Sequence, residues 1–133
     1  MVHQRLFTLD EANGQLQWLE PQLQRVRSLR KDLSDLNRQL HALLQEVRGN
    51  GHGTVAREVE NKRKAVDALE TLLDTLMQDV SDRSIVLRDP DRGLVDFPAL
   101  REGREVYLCW LLGEGAVEFW HHLDDGFAGR QPL

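Results

Sequence analysis

A single cysteine, Cys109, is all that this chain of 133 residues contains. No disulfide can form within it, so nothing ties its folding to an oxidising compartment. No run approaches the ~18 apolar residues of a membrane span. The amino-terminal MVHQRLFTLDEAN also lacks the continuous apolar core of a signal peptide. A cytoplasmic protein with no membrane partner is expected. A basic surplus is missing too: 17 Lys and Arg stand against 22 Asp and Glu, a formal net charge of -5. That argues against a non-specific nucleic-acid binder. Arg25, Arg27, Arg30 and Lys31, and again Lys62, Arg63 and Lys64, do cluster, but Asp32, Asp35, Glu58 and Glu60 interleave with them. With no aromatic residues beside them, they read as a solvated, mixed-sign surface, and no nucleic-acid partner is expected. The metal signatures C-x-x-C, H-E-x-x-H and H-x-H are absent, as is the Walker lysine of a phosphate loop.

What is present is a seven-residue clock. Leu19, Val26, Leu33, Leu40 and Val47 lie seven apart, with Leu29, Leu36 and Leu43 in a second row. Val59, Val66, Leu73 and Val80 repeat the pattern, accompanied by Val55, Leu69 and Leu76. These are the rows of a coiled-coil seam. Thr8 and Glu11 have capping-box spacing and start the first helix. Pro21 interrupts it, but the rows pass through in register, so a kink is expected. Gly49-Asn50-Gly51-His52-Gly53 ends the helix, and Thr54 can cap the next. The prediction is an antiparallel helical hairpin within residues 1–82, with helices at about 9–48 and 54–80. The first helix overhangs the second, so Leu9, Ala12, Leu16 and Leu19 need cover from the carboxy-terminal lobe. Trp18 joins that contact. Leu23, Leu44, Leu72 and Met77 widen the apolar stripe beyond one seam, which calls for a second hairpin and hence a homodimer.

Residues 83–133 read as a small four-stranded antiparallel lobe, making the fold α+β. Ile85–Leu87 is the first strand, and Asp89-Pro90-Asp91-Arg92-Gly93 is turn chemistry. Leu94–Phe97 follows, stopped by Pro98. Arg104–Leu112 and Ala116–His122 form a hairpin around Gly113-Glu114-Gly115. Setting Leu112 opposite Val117 puts Val106, Leu108, Trp110, Phe119 and His121 on one face. Glu105, Tyr107, Cys109, Trp120 and His122 then share the other.

The combination of Leu9-Asp10-Glu11-Ala12-Asn13, Gly93-Leu94-Val95-Asp96-Phe97-Pro98, Val106-Tyr107-Leu108-Cys109-Trp110, Leu112-Gly113-Glu114, Phe119-Trp120-His121 and Gly126-Phe127-Ala128-Gly129-Arg130 resembles a bacterial family, domain of unknown function 2203. The resemblance spans essentially the whole chain. It implies no activity and supplies no catalytic residues.

Candidate chemistry gathers in the lobe. Cys109, His121, His122 and Asp124 are of zinc-ligand types, with Asp125, Glu105 and Glu118 nearby. His121 and His122 point to opposite faces of a strand, so they cannot share one metal without a bulge. The expectation is therefore no cofactor. Cys109 then serves as a small buried hydrophobe, and His121 as a core histidine hydrogen-bonded to a tail carboxylate. Cys109 beside His122 would suit a thiol nucleophile, but no oxyanion donor is recognisable. No catalytic residue is assigned, and the balance is against an enzyme. Asp96, Tyr107, Trp120 and Arg130 make a second constellation. They form a ligand pocket with Trp120 as wall and Arg130 as anion clamp, or else Arg130 pins the carboxy-terminus to the sheet through a carboxylate. The expected function is a homo-oligomeric interaction or scaffolding module. The alternative is a metal- or small-ligand-binding protein, or an enzyme, using the polar sheet face.

Overall fold

The computed structural model describes residues 5–50 and 53–133. Thr8 starts α1 (Leu9–Asn50) with the reciprocal bonds expected of it. Its hydroxyl accepts the Glu11 N–H at 3.1 Å, and the Glu11 carboxylate accepts the Thr8 N–H at 2.8 Å. That backbone bond is the largest cause of the Glu11 carboxyl lying below its usual value. The helix runs unbroken through Pro21. The missing bond and ring clash there cost about 3 kcal/mol, and complete burial of Leu19, Leu23 and Val26 on either side offsets it. Gly51 and His52, at the tip of the expected reversal, lie outside the described residues, as does the side chain of Thr54. The second helix, α2, spans Gly53–Asp82. Among the described residues no helix is long and apolar enough to cross a membrane.

The chain forms two compact units that divide the helices between them: Ser28–Thr75, and Met1–Arg27 with Leu76–Leu133. In the first, the two helices pack together. Lys62 Nζ donates to Gln39 Oε1 at 2.6 Å, which fits the antiparallel register that the heptads predict. Val59, Val66 and Leu73 are buried. Leu29, Leu33, Leu36, Leu40 and Leu43 are half-buried, as are Leu44 and Leu72. Asp35 pairs with Lys31 at 3.5 Å and with Arg38, part of the solvated surface expected there.

In the second unit a sheet covers the early turns of α1. Ala12, Leu19 and Leu23 join Val80, Val95, Phe97, Ala99, Val106, Leu108, Trp110 and Trp120 in one core. Leu16 and Trp18 pack against it, so the overhang is met by the lobe as expected, except that Leu9 remains exposed. Arg83 stacks 3.7 Å over the Trp18 ring. Phe7 enters the same core, edge-on to Phe97 at 5.2 Å. Leu23, expected at an oligomer interface, is fully enclosed by its own chain. The stripe widens there because the sheet covers it. Met77 is half-buried.

Among the described residues the sheet has five strands, one more than expected: β1 (Val86–Asp89), β2 (Leu94–Arg101), β3 (Arg104–Leu111), β4 (Phe119–His122) and β5 (Gln131–Pro132), in that order and antiparallel throughout. Pro98 does not stop β2. It pairs with Tyr107, and its carbonyl accepts the Phe7 N–H at 2.7 Å. Its missing donor therefore faces the side where β1 has already ended, a position that tolerates proline. Glu102 and Gly103, both at positive φ, make the tight two-residue turn into β3.

The β3–β4 register differs by one residue from the expected one. Cys109 lies opposite Phe119, and Val106 opposite His122. A slip of one residue turns a strand over, so Trp120 joins the core face and His121 moves to the face of Tyr107 and Cys109. The intervening segment explains the slip. Glu114 Oε1 accepts the Leu111 N–H at 2.8 Å, the Trp110 indole donates to Gly115 O at 3.0 Å, and Asn13 Oδ1 accepts the Val117 N–H at 2.7 Å. Side chains take backbone partners that a plain hairpin would give to the ladder, and β4 starts only at Phe119.

Candidate functional site

On the sheet face opposite the core, three neighbouring strands each place one polar side chain. Asp96 on β2 lies directly across from Cys109 on β3. His121 on β4 pairs with Tyr107, which puts it one diagonal step from Cys109. Asp96 and His121 are each 2% exposed and Cys109 is closed to solvent. A polar group so buried must be hydrogen-bonded, and these are. Asp96 Oδ2 accepts Arg88 Nε at 2.8 Å. Asp96 Oδ1 lies 2.9 Å from His121 Nε2. His121 Nδ1 lies 2.8 Å from the His122 carbonyl, and since a carbonyl can only accept, Nδ1 carries a proton. Arg88 also lies 4.8 Å over the Tyr107 ring, and that ring is 5.6 Å from the imidazole.

A cavity of about 320 Å³ opens beside this group, lined by Arg88, Leu94, Asp96, His121, Leu123, Asp124, Asp125, Gly126 and Phe127. The buried carboxylate and imidazole thus border a space that a small molecule can enter.

Burial, more than the neighbouring Asp96 charge, pushes the Cys109 thiol up to about 12. A thiol held protonated behind its own chain is not an activated nucleophile. The arrangement imagined for nucleophilic catalysis fails on position as well. The register puts His121, not His122, on the thiol's face, and the His121 ring nitrogens already face a carbonyl and a carboxylate.

The expected metal set is divided. Cys109 and His121 come together with Asp96. The His122 ring lies edge-on to Trp120 at 4.9 Å on the other face, and Asp124 stands in the cavity wall. His121 is satisfied by a hydrogen bond as expected, but its partner is Asp96 and not a tail carboxylate. The expected ligand pocket is divided too. Trp120 belongs to the core and is capped by Arg101 at 4.6 Å. Arg130 sits over Phe119 at 4.1 Å on the opposite face, so the two cannot line one pocket. Asp96 and Tyr107 do stand together.

Arg130 takes the pinning role. It donates to Glu114 Oε1 at 2.7 Å and to Cys109 O at 3.4 Å, while β5 pairs with β4 behind it. Burial alone would raise the Glu114 carboxyl, but the Arg130 and Leu111 bonds outweigh it and hold the group below its ordinary value. Arg88 and Glu114 were not singled out from sequence. For Arg88 the available signal was a lone arginine closing the apolar run Ile85-Val86-Leu87.

No curated protein and no solved structure matches the chain. Residues 5–133 match the family described as "Uncharacterized conserved protein (DUF2203)", and the chain belongs to that family.

Proposed function

We propose that this protein is a binding module whose recognition site is the cavity beside Arg88, Asp96 and His121, and that its ligand is small and cationic. One observation carries this reading: a nearly solvent-free Asp–His pair lines an opening. Buried ion pairs are seldom more stabilising than apolar residues of the same size, so stability alone is a weak reason to place one at a cavity wall. The charge balance favours a cation. Asp124 and Asp125 stand in the wall with Asp96, and the single arginine there is already engaged by Asp96. A thermal-shift series with small amines, guanidines and divalent cations tests it. Stabilisation by at least one of these that Asp96→Asn weakens supports the site. Indifference to all of them removes it.

A second reading, assembly of two copies through the helical hairpin, has its own support. No described side chain of α1 from residue 28 to 46 is fully buried. A groove of about 630 Å³ also follows one flank of that helix, lined by Arg30, Leu33, Ser34, Asn37, Arg38, His41 and Ala42. Light scattering at micromolar concentration should return a dimer, and Leu44→Glu with Leu72→Glu a monomer. A monomeric wild type ends that reading.

A further inference from the structure

Asp96, Cys109 and His121 do more than share a face. Their ligand atoms all lie within 4.8 Å of one another, supplied by three adjacent strands of a rigid sheet. We infer that they form a binding site for a divalent transition metal, with zinc the ion that the mixed oxygen, nitrogen and sulfur donors fit. The inference rests on reading this face as a binding site and names its ligand class.

Both flanking interactions are those that orient metal ligands. The His122 carbonyl holds the proton on His121 Nδ1, so a neutral ring turns the lone pair of Nε2 inward. Arg88 holds one oxygen of Asp96 and leaves the other facing Nε2. That arrangement sets two acceptors 2.9 Å apart, which is stable only with a cation between them. Without a metal, a shared proton fills that role. With one, bonds of about 2.0–2.3 Å need the donors about 3.3–3.7 Å apart. Oδ1 and Nε2 must then separate by a few tenths of an ångström, and Sγ must close by no more than about 1 Å.

Charge also fits. A carboxylate, a thiolate and a neutral imidazole sum to the opposite of a divalent ion, so the loaded cluster adds no net charge to a buried region. Binding exchanges two protons for the metal, one from the thiol and one shared by Asp96 and His121, and both leave to solvent. Three protein ligands leave a fourth position. Because Asp96 and His121 also line the cavity, that position is open to water or to a small ligand, the pattern of working rather than purely structural zinc sites.

Cobalt(II) titration of untagged protein, stripped with a chelating resin, tests this. One cobalt should bind per chain, with a thiolate charge-transfer band in the near ultraviolet and visible bands of four-coordinate strength, all displaced by zinc. Cys109→Ser should lose the charge-transfer band, whereas His122→Gln should bind as wild type does. No stoichiometric uptake, a thiolate band that survives in Cys109→Ser, or loss of binding in His122→Gln would overturn the inference. Should Cys109→Ser not fold, the wild-type spectrum decides alone, and absence of a thiolate band refutes the site. If cobalt fails while an amine or guanidine stabilises the protein through Asp96, the metal falls and the cationic-ligand reading stands. If neither binds, both fall.

Discussion

Replacing Asp96 by alanine and by asparagine separates the hydrogen bonds of this residue from its charge. The carboxylate is 2% exposed and meets Arg88 at 2.8 Å and His121 at 2.9 Å. Alanine removes both partners at once. It strands the buried His121 Nε2, at about 1–3 kcal/mol for an unsatisfied group, and leaves a void where the carboxylate stood. Arg88 is 43% exposed at its side chain, so water takes over its lost bond and it adds little. The expected loss is about 3–4 kcal/mol, near the range for breaking a buried pair. At this chain length that lowers the melting temperature by roughly 10–15 °C. Asparagine keeps both bonds. Its oxygen accepts from Arg88 and its amide donates to Nε2, so only the charge assistance is lost, about 1–2 kcal/mol. Urea unfolding of metal-free protein followed by circular dichroism measures both. An Asp96→Ala protein within about 1 kcal/mol of wild type, or an asparagine variant less stable than the alanine one, would show that these buried bonds do not hold the sheet face together.

Three further outcomes are expected. Gly93→Ala should cost about 2–4 kcal/mol, because Gly93 has φ +73 and an added Cβ would sit 2.6 Å from Leu112 Cβ; an unchanged urea midpoint would contradict this. Glu114→Gln should cost about 1–3 kcal/mol by leaving the Arg130 cation, 9% exposed at its side chain, without a counter-charge. In wild type the contribution of Glu114 is fully present above its ordinary value of 4.5 and is lost as pH falls through its lowered folded value. The variant should therefore show a flatter acid limb in a stability–pH profile. Cys109, closed to solvent with its thiol pushed up to about 12, should resist iodoacetamide at neutral pH for hours and react once denatured; rapid labelling of native protein would show that the face opens.

The helical half was legible because its rule is periodic and local. Heptad rows, the Thr8–Glu11 cap and the overhang argument placed both helices and foresaw that Ala12 and Leu19 would meet the lobe. In the lobe, alternation within β3 assigned its faces correctly. What local rules could not supply was the partner of each backbone group between Leu112 and Glu118. Two of those partners are side chains, Trp110 and Asn13, the latter more than a hundred residues away. One residue of slip followed, and it moved His121 from the core to the side of Asp96 and Cys109. The same long reach hid β5, a two-residue strand with no pattern of its own, and the continuation of β2 through Pro98, which depends on where β1 stops. The site was thus half visible. Its residue types were evident, but the trio was not, because its three members meet only through the register of three strands.

The core that Leu19 and Leu23 share with Trp110 and Trp120 has a consequence for biosynthesis. The first partners in that core, Leu19 and Leu23, leave the ribosome about one hundred residues before the last, Trp120. At about 5–20 residues per second, the start of α1 waits roughly 5–20 seconds with its apolar side bare. Formation of this unit is therefore held until β4 has been made, and a nascent chain stalled before β4 would be a natural client for chaperones.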